Sequence, residues 1–312
     1  LLSGLQRPRL LQETRTLLSL SGPIVISQLA QTANGFVDTV MSGQAGATDL
    51  AAVALGTSIW LPIYLFIVGI MSATSAIVSH LYGASRIHEI GPAIHQALWV
   101  SLPLGFLACI ALRHTTPLLE YLQVESTLVP VTQAYLDGIS WGFPAISVFL
   151  ALRFFAEGMG QPRIVMMVSV SGLLANIGLN YLLIFGKFGL PAMGGPGCGW
   201  ATAMVMILMA TMMTLFSLRL DKRLHCNLSS GVAQPDAHAI RDMLKLGIPI
   251  GMAIFFEVSV FCVISLLIAP LGTTVIAGHQ VALNVASLVF MIPLSLSLAF
   301  GVRLGHCVGA GD

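Results

Sequence analysis

Long apolar stretches separated by short polar turns recur along the whole chain. Dividing the sequence at its Gly, Pro and charged clusters predicts eight helices, at roughly 17–43, 51–80, 93–112, 131–152, 164–186, 197–218, 244–269 and 277–308. Each is long enough to cross a bilayer, because about 20 residues at ~1.5 Å of rise per residue span the ~30 Å hydrocarbon core. The pattern therefore predicts an all-α polytopic membrane protein.

The composition strengthens that prediction and narrows the possible functions. Of 312 residues, 56% are hydrophobic and 9% are charged, whereas about a quarter are charged in soluble domains. A net charge of +1 from scattered residues gives no basic surface for nucleic acid. The five cysteines lack CxxC spacing, which indicates neither a disulfide framework nor a metal site.

Sequence motifs of nucleotide-driven or enzymatic chemistry are missing from the sequence. It contains no GxxxxGK[ST], GxGxxG or HExxH motif. We therefore expect no enzyme and no cofactor, and an ion gradient, of Na+ or H+, as the source of energy.

The basic residues are divided unevenly between the two sides of the predicted membrane. Twelve of the 14 Lys and Arg residues fall on the side of the N-terminus, and only Arg113 and Lys187 fall on the other. Cytoplasmic loops carry such an excess. The sequence predicts a cytoplasmic N-terminus, and we interpret the basic stretch 1–20 as a lead-in to the first span and not as a cleaved signal.

The end of the chain repeats its beginning. A shift of 226 residues aligns 18–84 with 244–310 without a gap, with 12 identical positions that include the pairs Pro23/Pro249, His80/His306 and Gly83/Gly309. This indicates a duplicated unit. Because six helices precede the second copy, it begins on the same side of the membrane, and the repeats are parallel.

The repeat predicts the domain organisation. Residues 1–218 form an N-terminal lobe of six helices, 219–243 form a polar cytoplasmic linker, and 244–312 form the first two helices of a C-terminal lobe. A complete second lobe would need six helices. We therefore expect a six-plus-six bundle of which this sequence, truncated, contains about eight helices.

Asp38 is the one acid in the first predicted span. An ionisable residue inside the membrane suggests function, here the binding of a proton or Na+. Gln31 and Asn34 precede it at spacings that place all three on one helix face. Two alternatives stay open, a carboxylate that snorkels or caps a loop and amides that only join helices.

A second polar pair lies in the fifth predicted helix. Asn176 and Asn180 are four residues apart and share a face. Their carbonyl oxygens are ligands that a hard cation prefers, so beside Asp38 they would complete an Na+ site. Hydrogen bonding between helices is an equally good interpretation.

Other candidates are spread along the chain. Glu257 lies in the middle of the seventh span and aligns with Gln31, about two turns or ~10 Å in depth from the level of Asp38. Arg153 and Glu157, at i and i+4, predict a structural ion pair. The start of the eighth span offers a titratable group, His279. The candidate substrate contacts are Gln280 and Asn284 of this span, together with Gln31 and Asn34 of the first.

Five motifs follow one another along the chain, namely QTANGFVDTVMSG, ALRFFAEGMGQPR, NIGLNYLLIFG, FFEVSVF and GHQVALN. In this order they resemble the multidrug and toxic compound extrusion (MATE) family, in particular its NorM-type bacterial branch. The resemblance implies a monomeric antiporter of the bacterial inner membrane, with two six-helix lobes that export organic cations in exchange for Na+ or H+. A lipid-linked precursor flippase of the wider superfamily is the alternative.

The resemblance also implies roles for individual residues. Asp38 becomes the acid of the N-terminal lobe, with Asn176, Asn180 and Thr202 beside it, and Glu257 becomes a cation-coupling acid of the C-terminal lobe. NorM-type members use a further aspartate on the tenth helix, which this sequence does not reach. The C-terminal cation site is expected to be incomplete.

Overall fold

The computed structural model describes residues 7–121, 124, 126–189, 191–228, 231, 233–268 and 273–311. Regular structure in these ranges is helical: ten α-helices and one short 3-10 turn, Ile87–Glu89. In chain order the helices are α1 Arg7–Ala45, α2 Ala47–Gly83, α3 Ile90–Arg113, α4 Thr116–Tyr121, α5 Leu128–Ser140, α6 Phe143–Gly158, α7 Pro162–Phe185, α8 Gly195–Leu224, α9 Ala237–Ile268 and α10 Thr273–Ala310.

Seven of the eight predicted helices are present as single helices, most of them longer than predicted. The prediction of one helix over 131–152 is wrong, because α5 and α6 meet there at a bend of 47°. Pro144, near the start of α6, has no N–H to donate to the preceding turn. Gly142 at the junction has its α-carbon packed close to α8, where a Cβ would lie 2.9 Å from the α-carbon of Ala203.

Among the described residues, six helical segments are long and apolar enough to cross a membrane, and the bent pair α5–α6 makes a seventh. They are Ala47–Gly83, Ile87–Arg113, Pro162–Phe185, Gly195–Leu224, Ala237–Val260 and Val289–Ala310. α1 has ample length, at 39 residues, but polar side chains interrupt its apolar stretch at Gln28, Gln31, Asn34 and Asp38. The chain is a multi-pass membrane protein whose first helix is unusually polar.

The core lies where α2, α3, α5, α6, α7 and α8 meet. Its largest side chains are fully buried, among them Tyr135, Phe143, Phe149 and Phe155. Gly199 of α8 lies so close to the main chain of α5 that a Cβ would overlap the Tyr135 carbonyl. Small residues that let helices approach closely are typical of membrane bundles.

α9 and α10 pack against α2 and α1, and α10 crosses α2 with internal symmetry. The backbone of Gly83 contacts that of His306, and Gly309 contacts His80 in the same way. These two contacts exchange under the 226-residue shift, so the crossing is self-complementary. The geometry supports a duplicated unit, while the exact lobe boundaries stay a prediction.

The polar connection between α8 and α9 is docked on α3. His95 Nδ1 accepts a hydrogen bond from the Ala233 N–H at 3.2 Å, and Gln96 bonds the Gln234 carbonyl at 3.0 Å and the Asp236 N–H at 2.9 Å. Burial at the start of this connection, reinforced by the Asp221 carboxylate, raises the pKa of the Cys226 thiol to about 11. The thiol therefore stays protonated at neutral pH.

Candidate functional site

The Asp38 carboxylate is buried between α1, α7 and α8, with 7% of the residue exposed. Its Oδ1 atom accepts hydrogen bonds from Asn180 Nδ2 at 2.6 Å and from Asn176 Nδ2 at 3.0 Å. Thr202 Oγ1 lies 3.4 Å from Oδ2. The structure therefore brings together Asp38, Asn176, Asn180 and Thr202, which we call the Asp38 cluster.

Helix packing explains why these side chains meet. α1 packs along α7, and the i, i+4 spacing turns both asparagines of α7 toward α1. Asn180 Nδ2 also lies 3.1 Å from Asn176 Oδ1, so the two amides hold each other in place. α8 completes the cluster with Thr202, whose hydroxyl also donates to the Cys198 carbonyl at 3.0 Å.

The charge of Asp38 has no basic partner among the ion pairs of the described residues. Two amide oxygens, Asn180 Oδ1 in the cluster and Asn34 Oδ1 one turn away on α1, are buried without a hydrogen-bond partner in that part of the chain. Unpaired buried polar atoms cost free energy. The cluster thus offers a carboxylate and spare oxygen acceptors, which suits a hard cation or a proton.

Gln31, predicted to share the face of Asp38, belongs to a different cluster. Its Oε1 atom accepts a hydrogen bond from Arg153 Nη1 at 3.0 Å, and the Tyr64 hydroxyl lies 3.4 Å away. Arg153 Nη2 reaches Gln28 Oε1 at 2.8 Å. The predicted ion pair is confirmed, since Arg153 Nε donates to Glu157 Oε1 at 2.9 Å.

These residues form the Arg153 cluster, which consists of Gln28, Gln31, Tyr64, Arg153 and Glu157. Arg153 and Glu157 are each only 3% exposed. The Arg153 guanidinium is therefore turned into the bundle, and the side of the membrane predicted for this residue stays a prediction. Its charge is balanced by Glu157, unlike the charge of Asp38.

The candidates of the second unit lie elsewhere. Glu257 is on α9 with an exposed side chain, and the described contacts do not join it to the Asp38 cluster. His279, Gln280 and Asn284 lie in α10, but their side chains are outside the described residues. Their predicted roles stay predictions.

Sequence reasoning missed two features of these sites. The Cys198 thiol lies beside Asp38, and its position four residues before Thr202 on α8 was the available signal. The contact between Arg153 and α1 was also missed. Gln28 and Gln31, three residues apart in an apolar span, were the signal for it.

Comparison with known proteins gives a consistent result. The MatE family model matches residues 23–182 and 249–312. The multidrug resistance protein PmpM of Pseudomonas aeruginosa is 46% identical over 304 residues, covering 97% of this chain and 64% of its own length. The multidrug resistance protein MdtK of Yersinia pseudotuberculosis is 42% identical over 301 residues, covering 96% and 66%.

A solved structure agrees with the sequence relatives. The MATE transporter NorM-NG, solved in complex with a monobody, superposes with a TM-score of 0.74 at 32% identity, over 93% of this chain and 63% of that one. The chain thus spans about two thirds of the length of the proteins it matches.

Proposed function

Because the chain belongs to the MATE family, we propose that it acts in a cation-coupled efflux antiporter that exports organic cations in exchange for Na+ or H+. In this proposal the Asp38 cluster is the coupling site. The observation that carries it is a buried carboxylate which accepts hydrogen bonds from two amides but has no ion-pair partner among the described residues.

The residues of the cluster have distinct roles in the proposal. Asp38 supplies the negative charge that a proton neutralises or Na+ balances. Rotation of the Asn176 or Asn180 amide about its last bond would present an oxygen to Na+ in place of the N–H that now faces the carboxylate. The Thr202 hydroxyl adds one more oxygen.

Exchange then follows from competition for one charge. A cationic drug between two lobes is held partly by carboxylate charge, and binding of the coupling ion removes that charge. The two ligands therefore weaken each other's binding, directly or through the lobe conformation. Glu257 would be a second coupling acid, and Gln280 and Asn284 would contact the substrate.

The relatives support the class of substrate and the location. PmpM and MdtK are named multidrug resistance proteins and come from bacteria, and NorM-NG is named a MATE transporter. We propose a range of cationic xenobiotics as substrates and the bacterial inner membrane as the location, with the N-terminus in the cytoplasm and a monomer as the working unit.

Replacement of Asp38 by Asn tests the coupling site. Asp38→Asn keeps the shape of the side chain but removes the charge, so cells that express the protein from its own gene should lose ethidium efflux at normal expression. Asp137→Asn is the matched control, because Asp137 on α5 is bonded to Gln133 at 2.8 Å, outside the Asp38 cluster. Unchanged efflux in Asp38→Asn would overturn the assignment.

A further inference from the structure

The guanidinium of Arg153 makes a three-way connection inside the bundle. Nε donates to Glu157 on its own helix, α6, while Nη1 and Nη2 donate to Gln31 and Gln28 on α1. The three distances lie between 2.8 and 3.0 Å. Arg153 thus binds two residues of α1 with the two ends of one rigid, planar group.

Such a fork fixes α1 more strictly than apolar packing does. The guanidinium holds its N–H donors in one plane at fixed angles. Gln28 and Gln31 are three residues apart on one face of α1, so rotation of α1 or a slide along its axis would break at least one of the two bonds. The bond of Arg153 to Glu157 keeps the fork itself from turning.

α1 connects the Asp38 cluster to the second unit. Asp38 is seven residues beyond Gln31, about 10 Å along the helix. In the other direction, Leu20 and Ile24 pack against Ala299 of α10, and Glu13 forms an ion pair with Arg303 of α10 at 2.6 Å. The Arg153 cluster therefore holds α1 between the place where the coupling ion would bind and the contact with α10.

We propose that Arg153 is a positioning residue for the coupling site. It fixes the rotation and height of α1, so that Asp38 stays in register with Asn176, Asn180 and Thr202. A cation then binds to Asp38 while α1 is held at a defined position, and a shift of α1 that binding causes would reach its contact with α10. This inference rests on the proposed function of Asp38.

The test uses a variant that removes the connection but keeps the ion pair. Gln28→Met has nearly the same volume and leaves Arg153 and Glu157 bonded to each other. In proteoliposomes, the Na+ or H+ concentration that gives half-maximal ethidium exchange should rise about tenfold, the factor expected from one lost bond to a charged group. The KM for ethidium should change less than about twofold. A general loss of folded protein would lower the maximal rate and leave both half-maximal concentrations unchanged, so a shift in the ion concentration alone marks an effect on the coupling site.

Two further variants separate positioning from general stability. Arg153→Lys keeps the charge but replaces the fork by a single ammonium group, so it should raise the half-maximal ion concentration in the same way. Gln133→Met removes a glutamine whose side-chain partners, Thr115, Thr116 and Asp137, are not on α1, and it should leave that concentration unchanged. The positioning role is overturned if Gln28→Met and Arg153→Lys show no shift, or if Gln133→Met shows the same one.

The same assay distinguishes failure of the inference from failure of the proposed function. Exchange that depends on the ion in the parent protein, is lost in Asp38→Asn and is unaltered in Gln28→Met contradicts only the role of Arg153. Ion-independent exchange in the parent protein, or normal exchange in Asp38→Asn, contradicts the coupling site and with it the positioning role.

Discussion

The Asp38 cluster and the Arg153 cluster both include residues of α1, and they bury charge in opposite ways. The Arg153 charge is balanced by Glu157 at 2.9 Å and shared with two glutamines. The partners of the Asp38 charge among the described residues are all neutral: two amides at 2.6 and 3.0 Å, the Thr202 hydroxyl at 3.4 Å and the Cys198 thiol. An ion pair whose charges already cancel gains little free energy from binding a further ion. A buried carboxylate without a counter-charge gains more, because neutralisation lowers the cost of its burial.

The comparison also separates fixed polar residues from exchangeable ones. A buried ion pair adds little net stability but is costly to break, so it serves best where geometry must not change. A buried charge without a counter-charge suits a site that binds and releases a ligand. Within three turns, α1 contributes residues to one site of each kind.

The largest expected effect comes from breaking the balanced pair. Arg153→Leu leaves Glu157 buried and unpaired, and should reduce the free energy of unfolding by about 3–5 kcal/mol. The double variant Arg153→Leu/Glu157→Leu removes both charges, so its free energy of unfolding should fall less than that of Arg153→Leu. Denaturant unfolding of the detergent-solubilised protein measures both. A double variant that is less stable than Arg153→Leu would contradict this, because it would show that Glu157 stabilises the fold even without Arg153.

A smaller effect is expected from the ligand of the unbalanced charge. A coupling ion that binds only the folded protein, at 100 times its dissociation constant, should stabilise it by about 2.7 kcal/mol. Thermal unfolding is measured in Na+ and in choline, and separately at a series of decreasing pH values. A higher unfolding temperature in Na+ identifies Na+ as the coupling ion, and a higher one at lower pH identifies H+. The increase in unfolding temperature that the ion causes should vanish in Asp38→Asn and persist in Asp137→Asn. If neither ion stabilises the parent protein, the contrast between the two clusters is wrong.

The sequence predicted one cluster well and the other poorly. Asp38 and the pair Asn176 and Asn180 stood out because polar residues at helical spacing are conspicuous in apolar spans. For Arg153, the spacing predicted the ion pair with Glu157 but not the bonds to Gln28 and Gln31, since an arginine near a Gly/Pro turn has the pattern of a cytoplasmic loop. Only tertiary packing reveals that its guanidinium turns inward and meets α1.

In the fold, too, the sequence predicted the local features, which are the helices, but not the features that depend on how the helices pack. Hydropathy predicted the helices, but the bend after Ser140 was invisible to it because the apolar character continues through 131–152. The repeat predicted equivalent helices, whereas the mutual contact of Gly83 with His306 and Gly309 with His80 depends on how the copies pack.

The smallest expected effects lie within the Asp38 cluster and follow its hydrogen-bond lengths. The 2.6 Å bond of Asn180 to a carboxylate should be worth about 1.5–3 kcal/mol, while the 3.4 Å contact of Thr202 is long for a hydroxyl donor and should be worth about 0.5 kcal/mol or less. If each residue contributes to ion binding in that proportion, Asn180→Leu should raise the half-maximal ion concentration for exchange tenfold or more, about 1.4 kcal/mol per factor of ten, and Thr202→Val about twofold. The reverse order would mean that Thr202 moves toward the carboxylate when the ion binds, so that the hydroxyl and not the amide is the principal neutral ligand.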